Sequence, residues 1–549
     1  MGGRKQGQTG REMGRRGASL ALWAALGVFV LYPLGRLFVV ATTHGGGFSL
    51  TPLLNVMTDG YSLAAMRNTA ILATAVATAG TAIGFAFALC SSGIPIPRWI
   101  GRSVDSVVVL PLVSPPFMTG ISLSVLLGPG GTIPNLIGMP DLNLYGFWGT
   151  WLAEIMTYFP LAYLALSAVL EGIDGELEES AMTLGATRLQ AFREVTVPLA
   201  IPGLANSFLL LFGASLADFA SPMVMGGHNF PVLTTQAYLR ITGMYDLQGG
   251  AALSLFLIIP AIGVYLIQRR WTENREFTTI SGKGGRDRPR RPIEKWEKWV
   301  LAVVASISSF LLVVYGTILT ASLVRAWGLD NSFTLEHYGY ALSSGLGSIK
   351  DTFLLATTAT LIGTVVSVTA GYLVTKRETP LRGTMEAVSL LNSILPGTAV
   401  GIAYVIAFNS GPIVLTGTMT ILVALCVFRY GAAAMRLTIA SLSQMDRSLE
   451  EAAMNLGASG FTVFRKITVP LIAPAISGGM KSLFVISMTA ISAMIFLVSV
   501  RWNLLTVRIL ECITELMFGQ AAALSVVLVA IVFSVSKLID RLFRVRWRS

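Results

Sequence analysis

Residues 177–202 read LEESAMTLGATRLQAFREVTVPLAIP, and residues 449–474 read LEEAAMNLGASGFTVFRKITVPLIAP. Fifteen of the 26 positions are identical, at a constant offset of 272 residues and without a gap. An internal repeat decides architecture before any local detail does, so the chain reads as two related halves. Each copy carries charges of both signs, yet it lies between long apolar segments. A polar helical loop in an otherwise hydrophobic chain is where such a protein meets a soluble partner.

The surroundings define the class. Of 549 residues, 53% are apolar and only 13% charged, against roughly 25% charged in soluble domains; mean hydropathy is +0.68. Apolar runs fall at about 19–40, 68–90, 105–127, 148–170, 199–217 and 250–267. A second set falls at about 300–324, 352–375, 388–408, 412–435, 471–499 and 518–538. The expectation is an all-α polytopic membrane protein of twelve transmembrane helices, arranged as two parallel six-helix repeats. A large soluble enzyme is excluded. Pro111, Pro115, Pro116 and Pro202 fall inside runs and suggest bent or broken helices.

The domain reading follows. Residues 1–17 form an amino-terminal tail, and 18–268 the first six-helix repeat, with its loop at 177–198. Residues 269–298 form a flexible basic linker with ten Lys or Arg. Residues 299–538 form the second repeat, with its loop at 449–470, and 539–549 a basic tail. With the amino terminus inside, both loops, the linker and both tails face the cytoplasm, and 31 of 40 Lys and Arg fall on that side. The net charge of +11 therefore reflects membrane topology, and no nucleic-acid partner is expected. Cys90, Cys426 and Cys512 are widely spaced and read as buried, inert thiols.

Within each loop the spacing predicts two short helices. Asp174 is placed to begin the first, and Glu178 and Glu179 lie in its first turn, where they favour the helix dipole. Leu177, Ala181 and Leu184 recur at i, i+4 and i+7 as an apolar stripe. Gly185 ends this helix and permits a left-handed backbone. A second helix follows at about 187–195, and Val197–Pro198 is expected to stop it. Glu450, Glu451, Ala453, Gly457 and Pro470 repeat the pattern. A short amphipathic helix of this kind suits a groove on a partner.

These motifs resemble the EAA loops of ABC importer permeases, which run Glu-Ala-Ala, three residues, Gly, nine residues, then Ile-x-Leu-Pro. The first copy matches at Glu179, Ala181, Gly185 and Pro198, with Ser180 for Ala, Val195 for Ile and Val197 for Leu. The second matches at Glu451, Ala452, Ala453, Gly457, Ile467 and Pro470, with Val469 for Leu. The fused two-fold form resembles the ferric-iron permease group, whose Asp/Glu-Phe-Gly-x-Pro, Gly-Gly and Val-Leu-Thr-Thr motifs match Asp218, Phe219, Pro222, Gly226, Gly227 and 232–235. Ala220 stands where that group commonly has Gly.

The resemblance implies a type I importer fold in which each loop seats in an ATPase subunit. It also implies two copies of a cytoplasmic ABC ATPase, a periplasmic or lipoprotein binding protein, and a bacterial inner-membrane location. Ferric iron is the leading cargo; a 2-aminoethylphosphonate, polyamine, thiamine or phosphorylated sugar is the alternative. A secondary transporter would leave two partner-facing loops unexplained.

The chain offers no catalytic site of its own. No GxxxxGK followed by Ser or Thr occurs, so ATP and magnesium are expected in the partner subunit and no cofactor in this chain. His44, His228 and His337 lack metal-ligand spacing. Glu154 reads as a solitary acid in the fourth apolar run.

Overall fold

The structure is a computed structural model that describes residues 16–128, 131–139, 143–227, 229–273, 292–375 and 380–547. His228, residues 274–291 of the basic linker and residues 1–15 of the amino-terminal tail lie outside them. The chain is an all-α polytopic membrane protein. Among the described residues, nine helices are long and apolar enough to cross a membrane, and up to twelve if each of three bent helix pairs counts as one span. The β structure described is two short hairpins, Thr43–His44 with Gly47–Phe48 and Val324–Ala326 with Asp330–Phe333.

Two apolar runs are broken, one of them the run in which Pro111, Pro115 and Pro116 suggest it. The run at 388–408 is two helices, Arg382–Ile394 and Gly397–Phe408, at 105° to one another. The cause is local: Leu395 precedes Pro396 and is extended, at φ −74° and ψ 150°, because the proline ring disfavours the α conformation in the residue before it. The run at 105–127 breaks the same way, with Ser114 extended before Pro115 and Pro116. A broken helix leaves carbonyls unpaired in a water-poor setting. Arg429 answers this at the second break, where its Nη1 donates to the carbonyl of Leu395 at 2.8 Å and to that of Asn392.

The chain folds as two compact units. One comprises Leu53–Gly339 and Cys512–Val526. At its centre Gly60–Ser92, Phe147–Gly172 and Val197–Ala217 pack on each other around Leu72, Val76, Phe87, Phe159 and Leu211. Gly80 leaves room for the side chain of Leu211, the small-residue contact that lets membrane helices approach closely. The helix Lys295–Ala321 packs along Phe117–Leu127 in this same unit.

The other unit comprises Met1–Pro52, Tyr340–Glu511 and Val527–Ser549. Its centre is Leu346–Thr375, Gly431–Ser443 and Ala473–Thr489, with Gly363 against Leu483. Here the amino-terminal helix Tyr32–Ala41 packs on Gly397–Phe408. Tyr404 donates a 2.6 Å hydrogen bond to the carbonyl of Phe29.

Matching polar contacts tie the two centres to one plan. Thr69 Oγ1 accepts the Leu233 amide at 2.8 Å in one unit, and Thr352 Oγ1 accepts the Leu505 amide at 2.7 Å in the other. Thr234 donates to the carbonyl of Asp218 at 2.6 Å, and Thr506 to that of Ala490 at 2.9 Å. Leu233 and Thr234 stand 272 residues before Leu505 and Thr506.

Candidate coupling loops

Each repeated loop is built in the same four steps. An aspartate starts it: Asp174 caps Gly175–Thr183 by accepting the Glu176 amide at 3.0 Å, and Asp446 caps Arg447–Asn455 by accepting the Ser448 amide at 2.9 Å. The Ser448 backbone and side chain hold the Asp446 carboxyl below the usual carboxylate range. The first helix then ends on a left-handed glycine, Gly185 at φ +96° and Gly457 at φ +89°. An added Cβ would meet nothing within 4 Å at either position, so the requirement is backbone conformation and not space.

A second cap follows. Thr187 begins Arg188–Ala191 in a capping box with Gln190, and Ser459 begins Gly460–Val463. Finally the chain makes one widened turn, Phe192–Thr196 or Phe464–Thr468, and passes into a span.

The widened turn corrects one expectation: Pro198 and Pro470 do not stop the second helix. The Val197 amide bonds to the Phe192 carbonyl and the Val469 amide to that of Phe464, five residues back. A proline lacks the amide for the usual bond and its ring crowds the preceding turn; the wider turn accommodates it. Helix therefore runs from Arg188 to Ala217. In the second copy Gly460–Leu471 is followed, after a 72° bend, by Ala473–Thr489.

The acids divide into two roles that the sequence pattern does not separate. Glu178 and Glu450 turn inward and accept hydrogen bonds from Thr196 and Thr468, the latter at 2.9 Å. Glu179 and Glu451 are exposed. Ala181 and Ala453 are half-buried. Leu184 and Leu456, just before the glycines, are 89% and 90% exposed. The apolar stripe thus finds little cover within the chain, since Leu177 and Leu449 are also exposed.

Inside the membrane-spanning region Glu154 is not solitary. It is fully buried, and its Oε2 accepts from the Ser215 hydroxyl. Asp218 lies close enough to act on its charge. Asp218 also accepts the Ala220 amide at 3.0 Å and the Ser221 amide at 3.3 Å, at the start of Ala220–Met225. At the matching positions of the other copy stand Cys426, Ser487, Ala490 and Tyr430. No group of three or more His, Cys, Asp or Glu that could hold a metal occurs among the described residues.

Residues 80–275 and 363–546 match the model of the family described as binding-protein-dependent transport system inner membrane component. The ferric transport system permease protein FbpB of Actinobacillus pleuropneumoniae is 31% identical over 536 residues, covering 95% of this chain and 77% of that protein. A putative ferric transport system permease protein, FbpB 1 of Haemophilus influenzae, is 32% identical over 483 residues, covering 86% and 76%. A probable sulfate transport system permease protein, cysT of Helicosporidium sp. subsp. Simulium jonesii, is 27% identical over 259 residues; the match takes 44% of this chain and 95% of that one.

Proposed function

The chain belongs to the family of binding-protein-dependent transport system inner membrane components, and on that premise we propose that it imports ferric iron. It is a permease component of an ABC importer, related to ferric-iron permeases over nearly its whole length. That length of similarity, 95% of the chain with one ferric permease, is what supports the cargo. A hard trivalent ion favours carboxylate and phenolate oxygens. Carboxylates are sparse in the spans, so tight binding belongs to the binding protein and the permease passes the ion on.

In this reading residues 18–268 and 299–538 are two six-helix repeats, joined by the basic segment 269–298. Each loop seats in one copy of a cytoplasmic ATPase, through exposed Leu184 and Glu179 in the first and exposed Leu456 and Glu451 in the second. A periplasmic or lipoprotein binding protein delivers the cargo at the opposite face. Both termini face the cytoplasm, a reading that the placement of Lys and Arg supports. Cysteines introduced at the two ends of the chain should react with an impermeant thiol reagent only after the cells are opened.

The deciding experiment is uptake by proteoliposomes containing the permease, its ATPase and its binding protein. Ferric iron, sulfate, a polyamine, a phosphonate and thiamine are each offered on the binding protein. ATP-dependent uptake of iron is the expected result. Uptake of an organic cargo with no response to iron rejects the cargo assignment and leaves the importer reading in place.

A further inference from the structure

The first loop is attached to a helix far along the chain. In the first, the Arg188 Nε donates to Glu297 Oε1 at 3.2 Å, and Glu297 is 1% exposed. The other oxygen of Glu297 accepts the Glu294 amide at 2.9 Å, which caps the start of Lys295–Ala321. One residue away, the Trp296 ring stacks on Phe192 with centroids 4.8 Å apart and planes at 25°. Glu178, already held by Thr196, lies 3.9 Å from Arg188. One carboxylate thus serves a helix start and a loop 109 residues away in sequence. At the positions matching Arg188 and Phe192 the second loop has Gly460 and Phe464. Gly460 has no side chain to form the ion pair, and Phe464 meets the edge of Tyr372 at 5.1 Å and 73°.

We propose that Arg188, Glu297, Phe192 and Trp296 are positioning residues that latch the first coupling loop to the start of Lys295–Ala321. The proposal rests on the reading of these loops as the ATPase contacts. A displacement of the first loop enters the membrane by two routes. One is the helix that continues from Phe192 to Ala217; the other is Lys295–Ala321, which packs along Phe117–Leu127 and Gly60–Ser92. The second loop passes its displacement on through Gly460–Leu471 and the bend into Ala473–Thr489. The pair suits this task because a buried carboxylate resists separation from its partner: parting them leaves an uncompensated charge out of water.

The test measures cargo transported per ATP hydrolysed by the reconstituted complex of permease, ATPase and binding protein. Glu297→Gln keeps the shape and an acceptor for the helix cap but removes the charge; Arg188→Gln removes the other partner. Each is expected to lower the ratio by about 2- to 30-fold, the range in which residues along a coupling route act, with ATPase capture unchanged. Arg188→Lys, which keeps the charge opposite Glu297, is expected to retain most of the ratio. An unchanged ratio in Glu297→Gln and Arg188→Gln, with only the yield of folded permease reduced, overturns the latch; so does a loss in Arg188→Lys as large as in Arg188→Gln. If Glu297→Gln does not fold, Arg188→Gln decides alone. Glu179→Ala/Glu451→Ala separates the two readings. An unchanged ratio in that double variant rejects the loops as couplers, whereas loss there with normal latch variants rejects only the latch.

Discussion

Glu450 accepts a 2.9 Å hydrogen bond from Thr468, eighteen residues further along the chain, and Glu178 and Thr196 repeat the pairing 272 residues earlier. The bond staples the first turn of each loop to the foot of a span. The neighbouring acids Glu179 and Glu451 make no such closure and face outward.

Adjacent glutamates should therefore fail differently. Glu450→Ala leaves the buried Thr468 hydroxyl without its acceptor, a loss on the order of 1–3 kcal/mol in local stability. Hydrogen exchange across 447–470 should rise while the ATPase still binds. Glu451→Ala should leave exchange unchanged and weaken ATPase capture. Equal effects at the two positions would show that the inward and outward roles are not separate.

Gly185→Val with Gly457→Val should uncouple transport without loss of folded permease from the membrane. Nothing lies within 4 Å of either added Cβ, so the cost is conformational, about 1–2 kcal/mol at each left-handed site. Asparagine tolerates this region better than a branched residue, and Gly185→Asn with Gly457→Asn should retain most of the activity. Uptake and membrane content of the two double variants, measured side by side, check this.

The Asp446 cap carries a pH signature. Ser448 holds the carboxyl below its ordinary value, so the folded loop prefers the ionised form. That contribution is complete above the unfolded value of about 3.9 and is lost as pH falls through the lower folded value. Hydrogen exchange across 447–455 should be faster in Asp446→Ala than in the parent from pH 8 down to about 4. The difference should close at lower pH. A gap that changes between pH 8 and 5 would assign the dependence to another group.

Arg429→Met should lower the thermal stability of the detergent-solubilised chain by on the order of 1.5–3 kcal/mol, the worth of a hydrogen bond to a charged group. It strips the donor from the carbonyls of Asn392 and Leu395 at the broken span. Arg429→Lys should recover part of the loss, because an ammonium reaches one carbonyl more readily than two. An unchanged melting midpoint in Arg429→Met would mean that other groups satisfy that helix end.

Much of the loop was legible because its determinants are local. An aspartate two residues before an amide and a glycine at a helix end act within one turn. What escaped was set at long range. Glu154 reads as isolated because Ser215 and Asp218 lie some sixty residues away on other elements. The Arg188–Glu297 pair spans 109 residues and leaves no periodic trace. The breaks before Pro115 and Pro396 were only half legible. Proline announces a disturbance, but whether the helix bends or parts depends on what receives its freed carbonyls, and at the second break that is an arginine more than thirty residues away. Composition also shows which helices are apolar without showing which apolar faces meet protein and which meet lipid.

The packing of Tyr32–Ala41 on Gly397–Phe408 bears on how the chain is made. The first helix leaves the ribosome with its protein-facing side uncovered, and the surface that covers it is synthesised about 350 residues later. At roughly 5–20 residues per second that is a wait on the order of 20–70 s, spent in lipid or against an insertion factor. Lys295–Ala321 emerges after Phe117–Leu127 is already made, so it docks on a finished surface. A stop codon placed in the linker would therefore strand the first helix without its partner surface, and co-expression of the remainder as a separate polypeptide is what would supply it.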